Sequence, residues 1–186
     1  MRVISGIAKG TKLNSIDSLE TRPTLDRVKE SLFNIIKNNI DEIVALDLFA
    51  GSGAIGIEFI SRGAKKVYFC EKSQLASKII YANLQKTKFI NKAEIFEKDY
   101  SKCLDELKKR DIKLDTIFID PPYKSDLAVK AVEQIISLDL LKKDGTIIIE
   151  TDEKERELKE LEKLQVEVYD LRKYGRAYLI FLNRKE

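Results

Sequence analysis

Four consecutive residues, Asp120-Pro121-Pro122-Tyr123, combine a carboxylate, a stiff backbone and an aromatic ring. Each Pro holds φ at about −65° and pushes the residue before it towards extended geometry, so Asp120 and Pro121 are both restricted. A stiff loop can aim a carboxylate. An exocyclic amine on a nucleobase is a poor nucleophile, because its lone pair is delocalised into the ring. An Asp120 carboxylate and a Pro121 carbonyl accepting its two N–H bonds would draw that nitrogen towards tetrahedral geometry, while the Tyr123 ring stacks on the base. A tight turn closing a strand draws on the same residue types, so the surrounding chain has to decide between the two readings.

The elements around the motif favour a site. The run Leu114 to Ile119 reads as a buried strand and an amphipathic helix follows, which puts Asp120 at the carboxyl end of a strand, where open α/β sheets keep their ligand crevice. From Ile43 onward strand-like and helix-like runs alternate. Strands are expected near 43–48, 66–70, 93–97, 114–119 and 145–150, and helices near 53–62, 73–87, 101–110, 126–138 and 154–161. Gln165 to Leu171 and Arg176 to Leu182 have no helix between them and predict an antiparallel hairpin through Lys173-Tyr174-Gly175. The fold class is therefore α/β: a seven-stranded, mostly parallel sheet with helices on both faces and a terminal antiparallel hairpin. Ahead of it, Arg2 to Leu13 reads as a short β-hairpin with glycines at its bend. A helix capped by Thr24 should follow and leave Arg22, Arg27 and Lys29 near an open edge. Two units result, a basic hairpin and helix extension over residues 1–40 and a main domain over residues 41–186.

A second constellation lies at the first strand of that domain. Gly51, Gly53 and Gly56 satisfy G-x-G-x-x-G, and Glu71 ends the next strand twenty residues after Gly51, which matches a dinucleotide fingerprint. Asp47 argues against a dinucleotide, because a carboxylate at that strand end would repel a pyrophosphate. It favours the cationic amino group of an amino-acid ligand. S-adenosylmethionine has that group, ribose hydroxyls for Glu71, an adenine amine for Asp99, and no phosphate. The same glycines in a protein without a ligand would serve close helix–strand packing.

Composition narrows the function classes. The chain has 186 residues, 44% hydrophobic and 35% charged, which describes a globular domain with a sizeable core. No apolar run reaches the roughly 18 residues of a membrane span and the amino terminus lacks a signal-peptide core, so no membrane and a cytoplasmic location are expected. There is no His, and Cys70 and Cys103 are too few and too distant for a metal cluster, so no metal is expected. Net charge is +3. Residues 1–40 hold seven Lys/Arg against four Asp/Glu, while residues 41–186 hold 27 of each sign. A basic arm on a neutral body points to a polyanionic partner.

Asp47-Leu48-Phe49-Ala50-Gly51-Ser52-Gly53 together with Asp120-Pro121-Pro122-Tyr123 resembles the class I methyltransferases that act on exocyclic amines. The opening Arg2-Val3-Ile4-Ser5-Gly6, Lys9-Gly10 and the segment from Thr21 to Asn34 narrow the resemblance to the RsmD family, over nearly the full length. Members of that family methylate N2 of a guanine in bacterial small-subunit (16S) ribosomal RNA. The resemblance implies a Rossmann-like methyltransferase fold, S-adenosylmethionine as cofactor, and ribosomal RNA or an assembled small subunit as partner of a monomer. It implies catalytic roles for Asp120, Pro121 and Tyr123, and cofactor contacts from Asp47, Phe49, Gly51, Gly53, Glu71 and Asp99. RNA contacts are expected from Arg2, Lys9, Lys12, Arg22 and Arg27. The chain departs from many relatives at Arg176, where an acidic or small polar residue is usual. N6-adenine methylation, which uses the same four-residue motif, is the nearest rival. Cytosine C5 methylation is disfavoured because neither cysteine follows a Pro. A catalytically silent RNA-binding module would not need Asp120 and Tyr123 beside an intact cofactor site.

Overall fold

The computed structural model describes residues 1–15, 23–36, 40–122 and 125–185, with the backbone alone for 23–27. The strands are β1 (Val44–Leu48), β2 (Lys66–Cys70), β3 (Ala93–Phe96), β4 (Leu114–Ile119), β5 (Leu141–Thr151), β6 (Val166–Tyr174) and β7 (Ala177–Arg184). They form one seven-stranded sheet of order β3-β2-β1-β4-β5-β7-β6. The pairings from β3 to β5 are parallel, and β7 runs antiparallel to both β5 and β6. The chain lays β2 and β3 on one side of β1 and then crosses to lay β4 on the other. Connections leaving β1 and β4 therefore diverge, and a crevice opens above their carboxyl ends.

The central strands are apolar on both faces, as buried parallel strands are. Ala45, Val67, Phe69, Phe118 and Ile148 face one layer, which holds α1 (Pro23–Ile35), α2 (Ala54–Ser61) and α3 (Gln74–Thr87). Leu46, Leu48, Ile117, Ile119 and Ile147 face the other, with α4 (Tyr100–Lys109), α5 (Leu127–Ser137) and α6 (Lys154–Leu161). Three boundaries differ from expectation. β5 begins at Leu141, because Leu141 pairs with Leu114 before the register shifts to Thr146 opposite Thr116. The hairpin turn is Gly175-Arg176, since Tyr174 pairs with Ala177; a two-residue loop follows the twist of its strands. Helix α1 begins at Pro23, so Thr24 lies in its first turn instead of capping it, and Pro suits that opening position because its missing N–H has no partner to lose.

The amino-terminal segment forms the short antiparallel hairpin expected, bridged at Arg2 and Lys12 with Val3 N donating to the Thr11 carbonyl and Gly10 N to the Val3 carbonyl, and its ladder stops at Val3. The reason is a competing acceptor. Glu58 of α2, fully buried, accepts the Ile4 and Ser5 N–H groups at 2.9 Å each. Those amides are thereby unavailable to a partner strand. Arg62 Nε and Lys29 Nζ lie 2.8 and 3.4 Å from the same carboxylate. Lys29 also donates to the Arg2 carbonyl at 2.5 Å and is 2% exposed, so it belongs to this buried cluster and not to an open edge. At the end of α2, Ile7 N donates to the Ser61 carbonyl and Ala8 N to Ser61 Oγ. A Cβ on Gly6 would lie 1.8 Å from the Ser61 carbonyl oxygen, so only glycine fits there. At the other end, buried Asn83 of α3 donates to the Asn14 and Ser52 carbonyls and accepts from Asn14 N. The segment is thus a strap bound along α2 and α3.

Removing the acceptor would leave buried Lys29 and two amides without their partner, and breaking a buried ion pair on one side typically costs about 3–5 kcal/mol. Glu58→Ala should therefore lower the melting temperature by roughly 10 °C in scanning calorimetry. A loss under about 1 kcal/mol would mean that the strap is held elsewhere.

Candidate active site

β1 ends in the glycine turn, and one bond ties that turn to the helix behind it. The carboxylate of Asp47, 2% exposed, accepts the Gly56 N–H at 2.8 Å. A Cβ on Gly56 would lie 2.1 Å from the Phe69 ring, so the third glycine of the fingerprint is needed for close packing of α2 on β2. Between the strand and the turn, Phe49 has φ 68°. A bulky residue in that left-handed region costs of order 1–3 kcal/mol. The conformation turns the Phe49 ring to Tyr100, 5.4 Å away between centroids.

Phe49 and Tyr100 form one wall of a cavity of about 540 Å³ above the carboxyl ends of β1, β2 and β4, a volume typical of small-molecule sites. Phe49, Glu71, Asp99, Asp120 and Pro121, five of the residues expected from the sequence, converge on it. Asp47 and the turn glycines Gly51 and Gly53 are not among its lining residues; they form the turn behind it. The carboxylates also hold the loops that carry them. Glu71 accepts Gly51 N–H at 2.9 Å and Ser73 N–H at 2.8 Å, and Asp99 caps α4 by accepting Ser101 N–H at 3.0 Å. Such bonds fix acceptor positions before a ligand arrives. Cys70, Lys72, Lys98, Tyr100, Pro122 and Leu127 also line the cavity and were not expected. Tyr100 had a sequence signal, an aromatic beside a strand-end acid; the others reach the cavity by backbone position alone. A hydrogen bond with Cys103 and then burial push the Cys70 thiol up, so Cys70 is not poised as a nucleophile.

The charge balance at the crevice is unusual. Burial raises the Asp47 carboxyl to about 7, against the opposing Gly56 N–H and with a further push from Glu71. Protein packed around its inner side, followed by the charges of Glu150 and Asp47, raises Asp120 well above the ordinary carboxylate range, although Asp120 is exposed on its outer side. Glu150, at the end of β5, is raised to about 7 by burial. Reasoning from the sequence missed Glu150, because nothing in Ile147 to Thr151 distinguishes it from an ordinary strand-end acid. A larger open depression of about 1610 Å³ lies at the amino ends of β4 and β5. Its Lys113 and Arg184 are both paired with Asp139, and its other acids, Asp144 and Glu167, are exposed to solvent.

Of the expected RNA contacts, Arg2, Lys9 and Lys12 are exposed and carry no ion pair among the described residues. Arg2 and Lys12 face each other across the bridge, an arrangement that is unfavourable without an anion. Lys9 lies in the bend beside Ser61, at the far end of α2 from the glycine turn, about 12 Å along that helix. Arg27 lies in α1, whose backbone alone is described at that position, and Arg22 and Tyr123 lie outside the described residues.

Comparison with known proteins agrees with this geometry. Residues 1–183 match the family model "Conserved hypothetical protein 95". The ribosomal RNA small subunit methyltransferase D of Haemophilus influenzae is 38% identical over 82% of this chain and 79% of its own length. The Escherichia coli (strain K12) protein of the same name is 32% identical over 82% and 75%. A hypothetical protein of Thermus thermophilus superposes with a TM-score of 0.80 at 25% identity, covering 97% of this chain and 98% of that one. The match over nearly the whole length, the seven-stranded methyltransferase sheet and the strand-end acids agree, and the chain belongs to the Conserved hypothetical protein 95 family, the RsmD family to which its motifs point.

Proposed function

We propose that this protein transfers the methyl group of S-adenosylmethionine to the exocyclic N2 amine of a guanine in small-subunit ribosomal RNA. The observation that carries the reading is the convergence of Glu71, Asp99, Phe49 and Asp120-Pro121 on one cavity at the strand-order reversal, in a chain with relatives named ribosomal RNA small subunit methyltransferase D. The donor set suits this cofactor better than a dinucleotide. Three carboxylates outnumber Lys72 and Lys98 around the cavity, and Lys98 is paired with Glu106, so the balance disfavours a pyrophosphate, whereas the carboxylates can accept from ribose hydroxyls and an adenine amine. Glu71 holds the ribose, Asp99 the adenine amine, and the Phe49–Tyr100 wall the ring face. Asp47 fixes the glycine turn and supplies negative potential beneath it for the ligand's ammonium.

The bound cofactor supplies an electrophilic methyl whose bond to sulfur breaks with its electron pair staying on sulfur. Asp120 and the Pro121 carbonyl accept the two amine N–H bonds and orient the nitrogen lone pair at that carbon; as the N–C bond forms, the proton the nitrogen loses passes to the Asp120 carboxylate and from its exposed side to solvent. Tyr123 stacks on the base. Residues 41–186 form the transferase domain and residues 1–40 the RNA-binding extension; the protein works in the cytoplasm, where its substrate is made. Mass spectrometry of small-subunit rRNA from a strain lacking the gene should show one mapped N2-methylguanosine missing, restored by the purified protein. Loss of a methylated adenine with all N2-methylguanosines intact would replace this reading with its N6 rival.

Asp120→Ala should lower the methyl-transfer rate by about 10²–10³ while S-adenosylhomocysteine affinity, measured by calorimetry, stays within a few-fold. Loss of that affinity would make Asp120 a cofactor residue.

Asp47 yields a pH dependence. Its raised carboxyl is neutral below about 7 and charged above, and only the charged form attracts an ammonium. Affinity for S-adenosylhomocysteine, which lacks the sulfonium charge, should rise by up to about tenfold per pH unit towards 7 and level off above it. Asp47→Asn should flatten the profile, and an unchanged profile in the variant would remove Asp47 from the cofactor set.

The strap yields a salt dependence. Replacing Arg2, Lys9 and Lys12 by Gln should lower RNA affinity and reduce the log–log salt slope by roughly 0.7–0.9 for each phosphate no longer engaged, at an unchanged melting temperature. The buried Glu58 cluster that holds the strap is untouched by these substitutions. An unchanged slope would mean that the exposed face of the strap does not meet the RNA.

A further inference from the structure

Glu150 has no part in the machinery described so far, yet its position gives it one. Ile119 of β4 and Ile149 of β5 are register partners. Asp120 follows just past the end of β4 and Glu150 follows within β5, beyond the point where the two parallel strands run about 4.8 Å apart. Both lie on the face that carries Phe118 and Ile148, two residues before them. Glu150 is half-buried, borders Pro121 and Pro122, and makes no hydrogen bond or ion pair among the described residues. Arg156, which borders the same pocket as Glu150, is committed elsewhere: it donates to the Ser125 carbonyl and pairs with Glu153 and Glu157. Two neighbouring carboxyls with no donor between them among the described residues suit a ligand that presents two adjacent donors.

Among the bases with an exocyclic amine, only guanine does so. Its N2 amine is flanked on one side by N1–H, a donor, whereas the N6 amine of adenine and the N4 amine of cytosine are flanked by ring nitrogens that only accept. With Asp120 on the amine, an acceptor one strand away meets N1–H in guanine and a repelling lone pair in the other two.

We propose that Glu150 is a specificity-determining residue, accepting N1–H of the flipped guanine while Asp120 holds the neighbouring N2 amine. The assignment rests on the guanine reading above and explains how an Asp-Pro-Pro-Tyr site selects guanine over adenine. A site built to bond a donor rejects the analogue without it, because its own polar group is then left unpaired.

The test uses two synthetic RNA fragments spanning the mapped target, one with guanosine there and one with 2-aminopurine riboside, which keeps the 2-amine and has a bare N1. The unmutated full-length protein should methylate the guanosine RNA with kcat/KM at least about tenfold above the other. Glu150→Gln, whose amide can donate to a bare N1, should shrink or invert that ratio by about tenfold or more, with S-adenosylhomocysteine affinity within twofold. A ratio equal to that of the unmutated protein, or loss of activity on both RNAs alike, would give Glu150 a structural role and overturn the assignment. No transfer to the guanosine RNA by the unmutated protein would overturn the guanine reading itself, and the assignment with it.

Discussion

The bond from Gly56 N–H to the buried Asp47 carboxylate organises the site. It joins the end of the central strand to the first turn of α2, across a glycine turn that would otherwise be free to choose its path. An acid buried this deeply is raised to about 7, so the fold tolerates a group that would be better solvated outside. In return the turn is fixed, Phe49 is held in an otherwise unfavourable backbone conformation, and its ring is set against Tyr100. The cavity is built outward from there, because Glu71 bonds the same turn at Gly51 and Asp120 emerges from the strand next to β1.

The acids that line the cavity also hold parts of the fold in place. Glu71 and Asp99 each accept loop amides, so that binding meets an arrangement already formed instead of ordering one. Asp120 and Glu150 differ, for neither carboxyl has a hydrogen-bonding partner among the described residues, and each is pushed towards its neutral form. The contrast divides the crevice into a finished half, which suits a cofactor common to many methyltransferases, and an unfinished half that needs donors from a substrate. The division follows the strand order, since the finished half sits over β1, β2 and β3 and the unfinished half over β4 and β5.

The amino-terminal strap shows how the same sequence can serve two purposes. Its backbone amides are committed inward, to Glu58, Ser61 and Asn83, while Arg2, Lys9 and Lys12 are exposed on its outer side. Asn83 also holds the Ser52 carbonyl, and Ser52 Oγ donates to Met1 Sδ, so the strap is tied to the glycine turn.

Alternation of apolar runs, glycine spacing and acids at strand ends were legible in the sequence because each is a local pattern, and they were enough to specify the parallel sheet, the crevice and five of the cavity residues. The docking of the short amino-terminal hairpin on α2 did not show in the sequence, because Glu58, more than fifty residues away, takes the Ile4 and Ser5 amides. Lys29 failed as an expectation for the same reason, drawn inside by an acid that local sequence does not pair with it. The closeness of Glu150 to Asp120 is a matter of register between β4 and β5, set by packing across the whole sheet. Composition and motif spacing determine which chemical groups this chain can offer at its strand ends; tertiary structure alone decides which of them are satisfied by the protein and which are left for a ligand, because a carboxylate's partners are distant in sequence and its charge depends on what surrounds it.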